Sequence, residues 1–195
     1  MRPTTVTVNL SHRHIHLTEA DVEILFGARY KLTKKVDLLQ PGQFAAQETV
    51  TIQGPSGSLE HVRVVGPTRS ATQCEILAGD VYKLGFAATE VPVRLSGAIA
   101  DSAGFTIVGP AGSVEKSEGL IIAQRHIHVD PETAARHHLT DGTTVSITLA
   151  TPLRETTYGA VAVRVHTNAM FECHLDIEEG NAAGIRNGYQ ATIVR

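Results

Sequence analysis

The tetrapeptide Arg13-His-Ile-His16 returns in the second half of the chain as Arg125-His-Ile-His128. Each copy leads within a few residues into a helix start. Thr18 is a cap residue followed by acids, and Asp130 caps a segment with Pro131 at its first helical position. A second echo sets Gly54-Pro-Ser-Gly-Ser58 against Gly109-Pro-Ala-Gly-Ser113. Together the two echoes predict a doubled β unit with one functional corner in each half.

Working outward from these repeats, most of the chain reads as short strands separated by turn residues. Val6–Leu10 and Thr49–Gln53 alternate apolar and polar side chains. Further strand candidates are Glu60–Val65, Val91–Leu95, Phe105–Val108, Gly119–Gln124, Thr144–Leu149, Ala160–Val165, Ala169–Ile177 and Gln190–Val194. Helical signals are confined to Thr18–Gly27, Asp130–His138 and Glu178–Gly184. Many closely spaced strands with few helices predict a mainly β fold, barrels or a sandwich.

Composition narrows the function. Seventeen basic against 20 acidic residues give a net charge of −3. That excludes the broad basic face that non-specific nucleic-acid binding needs. No apolar run is long enough to span a bilayer, and Met1-Arg-Pro-Thr-Thr-Val lacks the apolar centre of a secretion signal. Two cysteines are too few for a disulfide framework. The expectation is a soluble, cytoplasmic protein without a membrane partner. Ten histidines in one chain raise a metal question where they cluster.

On a strand, residues i and i+2 share a face, roughly 6–7 Å apart. His14 with His16, and His126 with His128, therefore each aim two imidazoles at one point, as zinc requires. A catalytic zinc commonly takes three protein ligands, so each pair needs a partner. Glu75, in Arg69-Ser-Ala-Thr-Gln-Cys-Glu75, and His174, in Met170-Phe-Glu-Cys-His174, are the preferred candidates. Strand parity then turns Cys74 and Cys173 into the core. His12 shares parity with His14, while His61 and His166 read as surface residues and His137 and His138 as neighbours of a helix C-terminus. Arg69, just after Gly66-Pro-Thr, and Arg164, within a strand, are the guanidinium candidates for an anion. Imidazole and carboxylate ligands also accept cobalt or iron. Tyr82 and Phe86 are candidate platforms for an adenine ring.

Ser11-His-Arg-His-Ile-His-Leu-Thr18, Leu39-Gln-Pro-Gly-Gln-Phe-Ala45, Gly66-Pro-Thr-Arg69, Arg125-His-Ile-His128 and His174-Leu-Asp-Ile-Glu-Glu-Gly-Asn-Ala182 resemble the PduL-type phosphate propanoyltransferase (phosphotransacylase) family, in order over nearly the whole chain. The resemblance implies two packed β-barrels related by internal duplication, one from residues 3–12 with 124–195 and the other from 13–123. It implies a two-zinc site between them, with His14, His16 and Glu75 on one ion and His126, His128 and His174 on the other. Arg69 would hold phosphate, with Ser11, Ser96 and Arg164 around the anion. The implied reaction exchanges acyl-CoA and phosphate for acyl phosphate and coenzyme A, propanoyl or acetyl, in a homodimer. The family often has asparagine at the position of His12. The N-terminal microcompartment-targeting extension of many members is not seen ahead of the first strand, which favours a cytoplasmic enzyme. Two rivals use the same histidines: a zinc hydrolase that activates water, and a non-catalytic barrel with closed metal shells.

Overall fold

The structure is a computed structural model that describes residues 3–194. In chain order its elements are β1 (Thr5–Ser11), β2 (His14–His16), α1 (Glu19–Phe26), β3 (Lys34–Asp37), β4 (Phe44–Gln53), β5 (Ser58–Gly66), β6 (Gln73–Ile76), α2 (Ala78–Leu84), β7 (Val93–Arg94), β8 (Ala103–Val108), β9 (Ser113–Ala123), β10 (His126–Val129), α3 (Pro131–Arg136), β11 (Thr144–Ala150), β12 (Glu155–Val165), β13 (Glu172–Asp176), α4 (Ile177–Ala183) and β14 (Tyr189–Val194). The chain divides into two units. One takes the residues up to His12 together with those from Gln124 onward, and the other is Arg13–Ala123.

Each unit closes a six-stranded ring. The first runs β1-β13-β10-β12-β11-β14 and back to β1. The second runs β9-β6-β2-β5-β4-β8 and back to β9, with β3 added on β4 and β7 on β9. Taken in that order, the two rings have the same sense of pairing at every step: parallel, antiparallel, parallel, then three antiparallel ladders. Closure removes the unpaired edges that an open sheet would expose. The duplication is exchanged at one strand. β1 runs into the first histidine pair yet pairs in the ring of the second, whereas β9 runs into the second pair and sits in the ring of the first.

Alternation along each strand fills the barrels. Ile15, between the first two histidines, and Ile127, between the second two, are fully buried in their respective cores. Burying a side chain of that size contributes about 1.5–3 kcal/mol. Cys74 and Cys173 also lie in these cores, unpaired, so the strand-parity expectation holds for both. Their flanking residues at ±1 consequently face out of the barrel wall.

Thr18 caps α1 by accepting from the Asp21 N–H, and Asp130 caps α3 from Thr133 N–H, with Pro131 at the first position. α4 begins with a reciprocal capping box between Asp176 and Glu179. The sequence reading gave no helix over α2. Its cap position is Leu77, which has no side-chain acceptor, and Asp80 reaches back to the Leu77 N–H in its place. Val91–Leu95 shrinks to the two residues of β7, because Pro92 has no N–H to give a ladder.

The second echo does not follow the duplication. Both Gly-Pro-x-Gly turns lie in the Arg13–Ala123 unit, closing the β4–β5 and β8–β9 hairpins. Each turn seals the C-terminal carbonyls of a helix: Ser56 N–H donates to Leu84 O at 3.2 Å, and Ala111 N–H to Leu25 O at 2.9 Å. The close approach explains the leading glycines, since a Cβ on Gly54 or Gly109 would lie 2.4 Å from those same carbonyl oxygens. The partner of the β4–β5 turn in the other unit is the Thr151–Arg154 turn, which has no glycine.

Candidate metal centre and anion site

Register builds both centres. In the unit of Arg13–Ala123, His14 stands opposite Glu75 and His16 opposite Gln73. In the other unit, His126 stands opposite His174 and His128 opposite Glu172. The neighbouring strand brings Arg63 beside His14 in one unit, and Ala162 and Arg164 beside His126 and His128 in the other. Donor atoms of His14, His16 and Glu75 lie within 4.8 Å of one another, and so do those of His126, His128 and His174. The chain therefore brings together both three-residue sets within their own barrels.

The arginine that opens each tetrapeptide anchors these clusters. Arg13 makes a bidentate pair with Asp80, Nε to Oδ2 at 2.6 Å and Nη2 to Oδ1 at 2.8 Å, and the Asp80 side chain is fully buried. Arg125 bonds Glu179, donates to Gly159 O at 3.1 Å and lies over the Tyr158 ring. Asp80 and Glu179 are each the third residue of the helix that follows the third-ligand strand. Both clamps thus tie a histidine strand to the segment carrying its partner ligand.

The donor set fits a cation. His16 Nδ1 lies 3.1 Å from Val65 O, and His126 Nδ1 lies 2.8 Å from Gln124 O. A carbonyl accepts only, so those nitrogens carry a proton, which in a neutral ring leaves Nε2 bare for a cation. His126 Nε2 faces His128 Nε2 at 3.1 Å. With zinc–nitrogen bonds of about 2.0–2.1 Å, a tetrahedral ion separates two such nitrogens by roughly 3.3–3.4 Å. Burial first, then His14 and Arg69, lowers His16 to a pKa of about 3. Burial first, then His126, His174 and Arg164, lowers His128 to about 2. Both rings are therefore neutral near pH 7, as a ligand must be.

Each cluster has a guanidinium whose charge reaches a histidine, Arg69 in one unit and Arg164 in the other. Arg69 is fixed by its backbone N–H to Leu17 O at 2.9 Å and by Nη1 donating to Ser96 Oγ at 3.1 Å. Ser96 is in the same polar group as the Glu75 cluster, through Gln73. Ser11, at the end of β1, donates to Leu175 O at 3.3 Å and stands in register with Asp176. Tyr82 is exposed, and Phe86 packs against the core.

Four neighbours were not singled out from sequence. Gln73 donates to Glu75 Oε1 at 2.7 Å. Glu172 Oε1 meets His174 Nε2 at 2.9 Å, and its Oε2 accepts from Asn9 at 2.6 Å. His166, read as surface and indeed exposed, sets Nε2 2.8 Å from His128 Nδ1. Strand parity was the available signal for Gln73 and Glu172, each two residues before a third ligand.

Residues 7–186 match the family model described as phosphate propanoyltransferase. The chain is 46% identical over 185 residues to a phosphate propanoyltransferase of Rhodopseudomonas palustris, covering 95% of this chain and 80% of that protein. A phosphate propanoyltransferase of Priestia megaterium is 51% identical over 184 residues, covering 94% and 83%. One from Thermotoga maritima is 42% identical over 189 residues, covering 97% and 89%.

Proposed function

Because the chain belongs to the phosphate propanoyltransferase family, we propose that it is a phosphate acyltransferase interconverting acyl-CoA plus phosphate with acyl phosphate plus coenzyme A, propanoyl or acetyl. The observation that carries the reading is the doubled cluster: two sets of three donors, each with a guanidinium in electrostatic reach. His14, His16 and Glu75 would hold one zinc, and His126, His128 and His174 the other. When bound, the two ions supply Lewis-acid charge for the coenzyme A sulfur and for phosphate.

The chain's own residues bind and orient the reactants. The Arg69 guanidinium offers a fixed fork to two phosphate oxygens, with the Ser96 hydroxyl beside it. Arg164 and Ser11 supply further positive and polar contacts to the anion. A phosphate oxygen attacks the thioester carbonyl carbon; the new C–O bond forms, the C–S bond breaks, and coenzyme A leaves as thiolate. Arginine charge also meets the negative charge growing on the carbonyl oxygen. Direct transfer is favoured because both cysteines are buried and burial pushes their thiols up, away from the nucleophilic form.

The chain passes between its units at His12–Arg13 and at Ala123–Gln124, each time immediately before a histidine pair. Among the described residues no helix is long and apolar enough to cross a membrane. Unpaired thiols support a cytoplasmic setting. The reading includes a homodimer, which light scattering on the eluted protein checks.

The test is thiol release from propanoyl-CoA and acetyl-CoA, with and without phosphate, before and after chelation. Phosphate-dependent release that chelation abolishes is the expected result. Release indifferent to phosphate would make water the acceptor and the protein a zinc hydrolase.

A further inference from the structure

Gln73 has no part in the reaction as described, yet it is buried and hydrogen-bonded through both ends of its amide. Nε2 donates to Glu75 Oε1 at 2.7 Å and to Ser96 Oγ at 2.9 Å, while Oε1 accepts the Gly97 N–H at 2.6 Å. Turning the amide over would set its carbonyl against the Glu75 carboxylate and its NH₂ against the Gly97 N–H. The orientation is therefore fixed by three partners at once.

Ser96 inherits a direction from this arrangement. A hydroxyl oxygen has two acceptor positions and one proton. Gln73 Nε2 and Arg69 Nη1 both donate to Ser96 Oγ, at 2.9 and 3.1 Å. With both acceptor positions taken, the hydroxyl proton is available only as a donor to a third group. A tetrahedral oxyanion held by Arg69 is an acceptor of the right kind. On the other side, Gln73 engages Oε1 of Glu75, and Oε2 lies toward His14, 3.6 Å from its Nε2.

We propose that Gln73 is a positioning residue that sets the polarity of this relay, holding Ser96 as a hydrogen-bond donor to inorganic phosphate at Arg69 and turning Glu75 Oε2 to the ion. It rests on the acyl-transfer reading. The other barrel shows why the residue type matters. Glu172 occupies the matching register position and can only accept, so no such donor relay forms beside His174. Phosphate specificity belongs to the Glu75 side.

Gln73→Met removes both donors at similar volume, and Ser96→Ala removes the hydroxyl. With zinc loaded, each variant should raise the KM for phosphate about 10-fold, as expected for a lost charge-assisted bond. The KM for propanoyl-CoA should stay within about 2-fold. In the KM for phosphate the double variant should be no worse than Ser96→Ala alone, because on phosphate the two act through the one Ser96 hydroxyl. The rise in thermal stability that phosphate gives the zinc-loaded wild type should shrink in Gln73→Met. An unchanged phosphate KM with an undiminished phosphate stabilisation would overturn the proposal, as would additive effects of the two substitutions on the KM for phosphate. Should Gln73→Met fail to fold, Ser96→Ala, on a half-buried turn, decides by the same two readouts. Wild-type thiol release that ignores phosphate sinks the acyl-transfer reading instead, and the stabilisation measurement still decides whether Gln73 organises phosphate binding.

Discussion

In the Arg13–Ala123 barrel the strand beside the histidine pair presents Gln73 and Glu75; in the other barrel the strand in the same register presents Glu172 and His174. Each side has one carboxylate, but at alternate positions. On one side it is a candidate ligand oriented by an amide, and on the other it orients a candidate imidazole ligand. Duplication has kept the frame while exchanging the charge between positions i and i+2. A cation at the Glu75 side would be met by a hard oxygen donor, and one at the His174 side by imidazoles alone. The two clusters are therefore alike in geometry and unlike in chemistry, which suits a reaction with two different anionic partners.

The anchoring arginines differ too, and breaking them should give the largest effect. Asp80 is fully buried and Glu179 is not, so Arg13→Leu leaves a buried carboxylate to Lys83 and the Leu77 N–H alone, whereas Arg125→Leu leaves one that is partly solvated. We expect Arg13→Leu to cost about 3–5 kcal/mol in urea unfolding and Arg125→Leu clearly less. Equal losses would mean that the two clamps are energetically equivalent. Next in size is the anion side. Arg69→Ala should fold, bind zinc and lose about 10²–10³-fold in phosphate-dependent turnover, with Arg164→Ala losing less. The opposite ranking would move the phosphate to the second barrel.

Glu172→Gln sharpens the comparison further. It keeps the shape but removes the charge that orients His174, and zinc affinity at that cluster should fall about 10–100-fold in a chelator competition. A smaller effect is expected from pH. His16 and His128 are lowered to about 3 and about 2 from an ordinary 6.5. Below pH 6.5 the unfolded chain takes up protons that the folded, metal-free chain refuses. The melting temperature of chelated protein should thus fall from about pH 6.5 toward about pH 5 and be flat, on account of these groups, above about pH 7. Flat behaviour across the whole range would show that these rings are not held neutral.

Much of this was legible because strand parity is a strong rule. His-x-His on a strand announced two imidazoles sharing one face, and the structure buries the residue between them, Ile15 and Ile127, in the cores. The same parity turned Cys74 and Cys173 inward. The capped starts of α1 and α3 were legible from Thr18 and Asp130. What escaped the sequence had no local signature. α2 starts on Leu77 and takes its cap from Asp80, so no polar residue marks its beginning. The Gly54 and Gly109 turns look like products of the duplication, yet they answer to two helix ends in one barrel. Gln73, Glu172 and His166 have meaning only through residues brought next to them by pairing, and His166 is exposed besides.

The most direct measurement is the zinc count of purified protein, by mass spectrometry of the metal, for the wild type and for the variants His14→Ala/His16→Ala and His126→Ala/His128→Ala. With one ion per cluster, the wild type should carry about two zinc ions per chain, and each double variant about one while remaining folded. A wild type with a single zinc, or a double variant that keeps both, would contradict one ion held by each cluster.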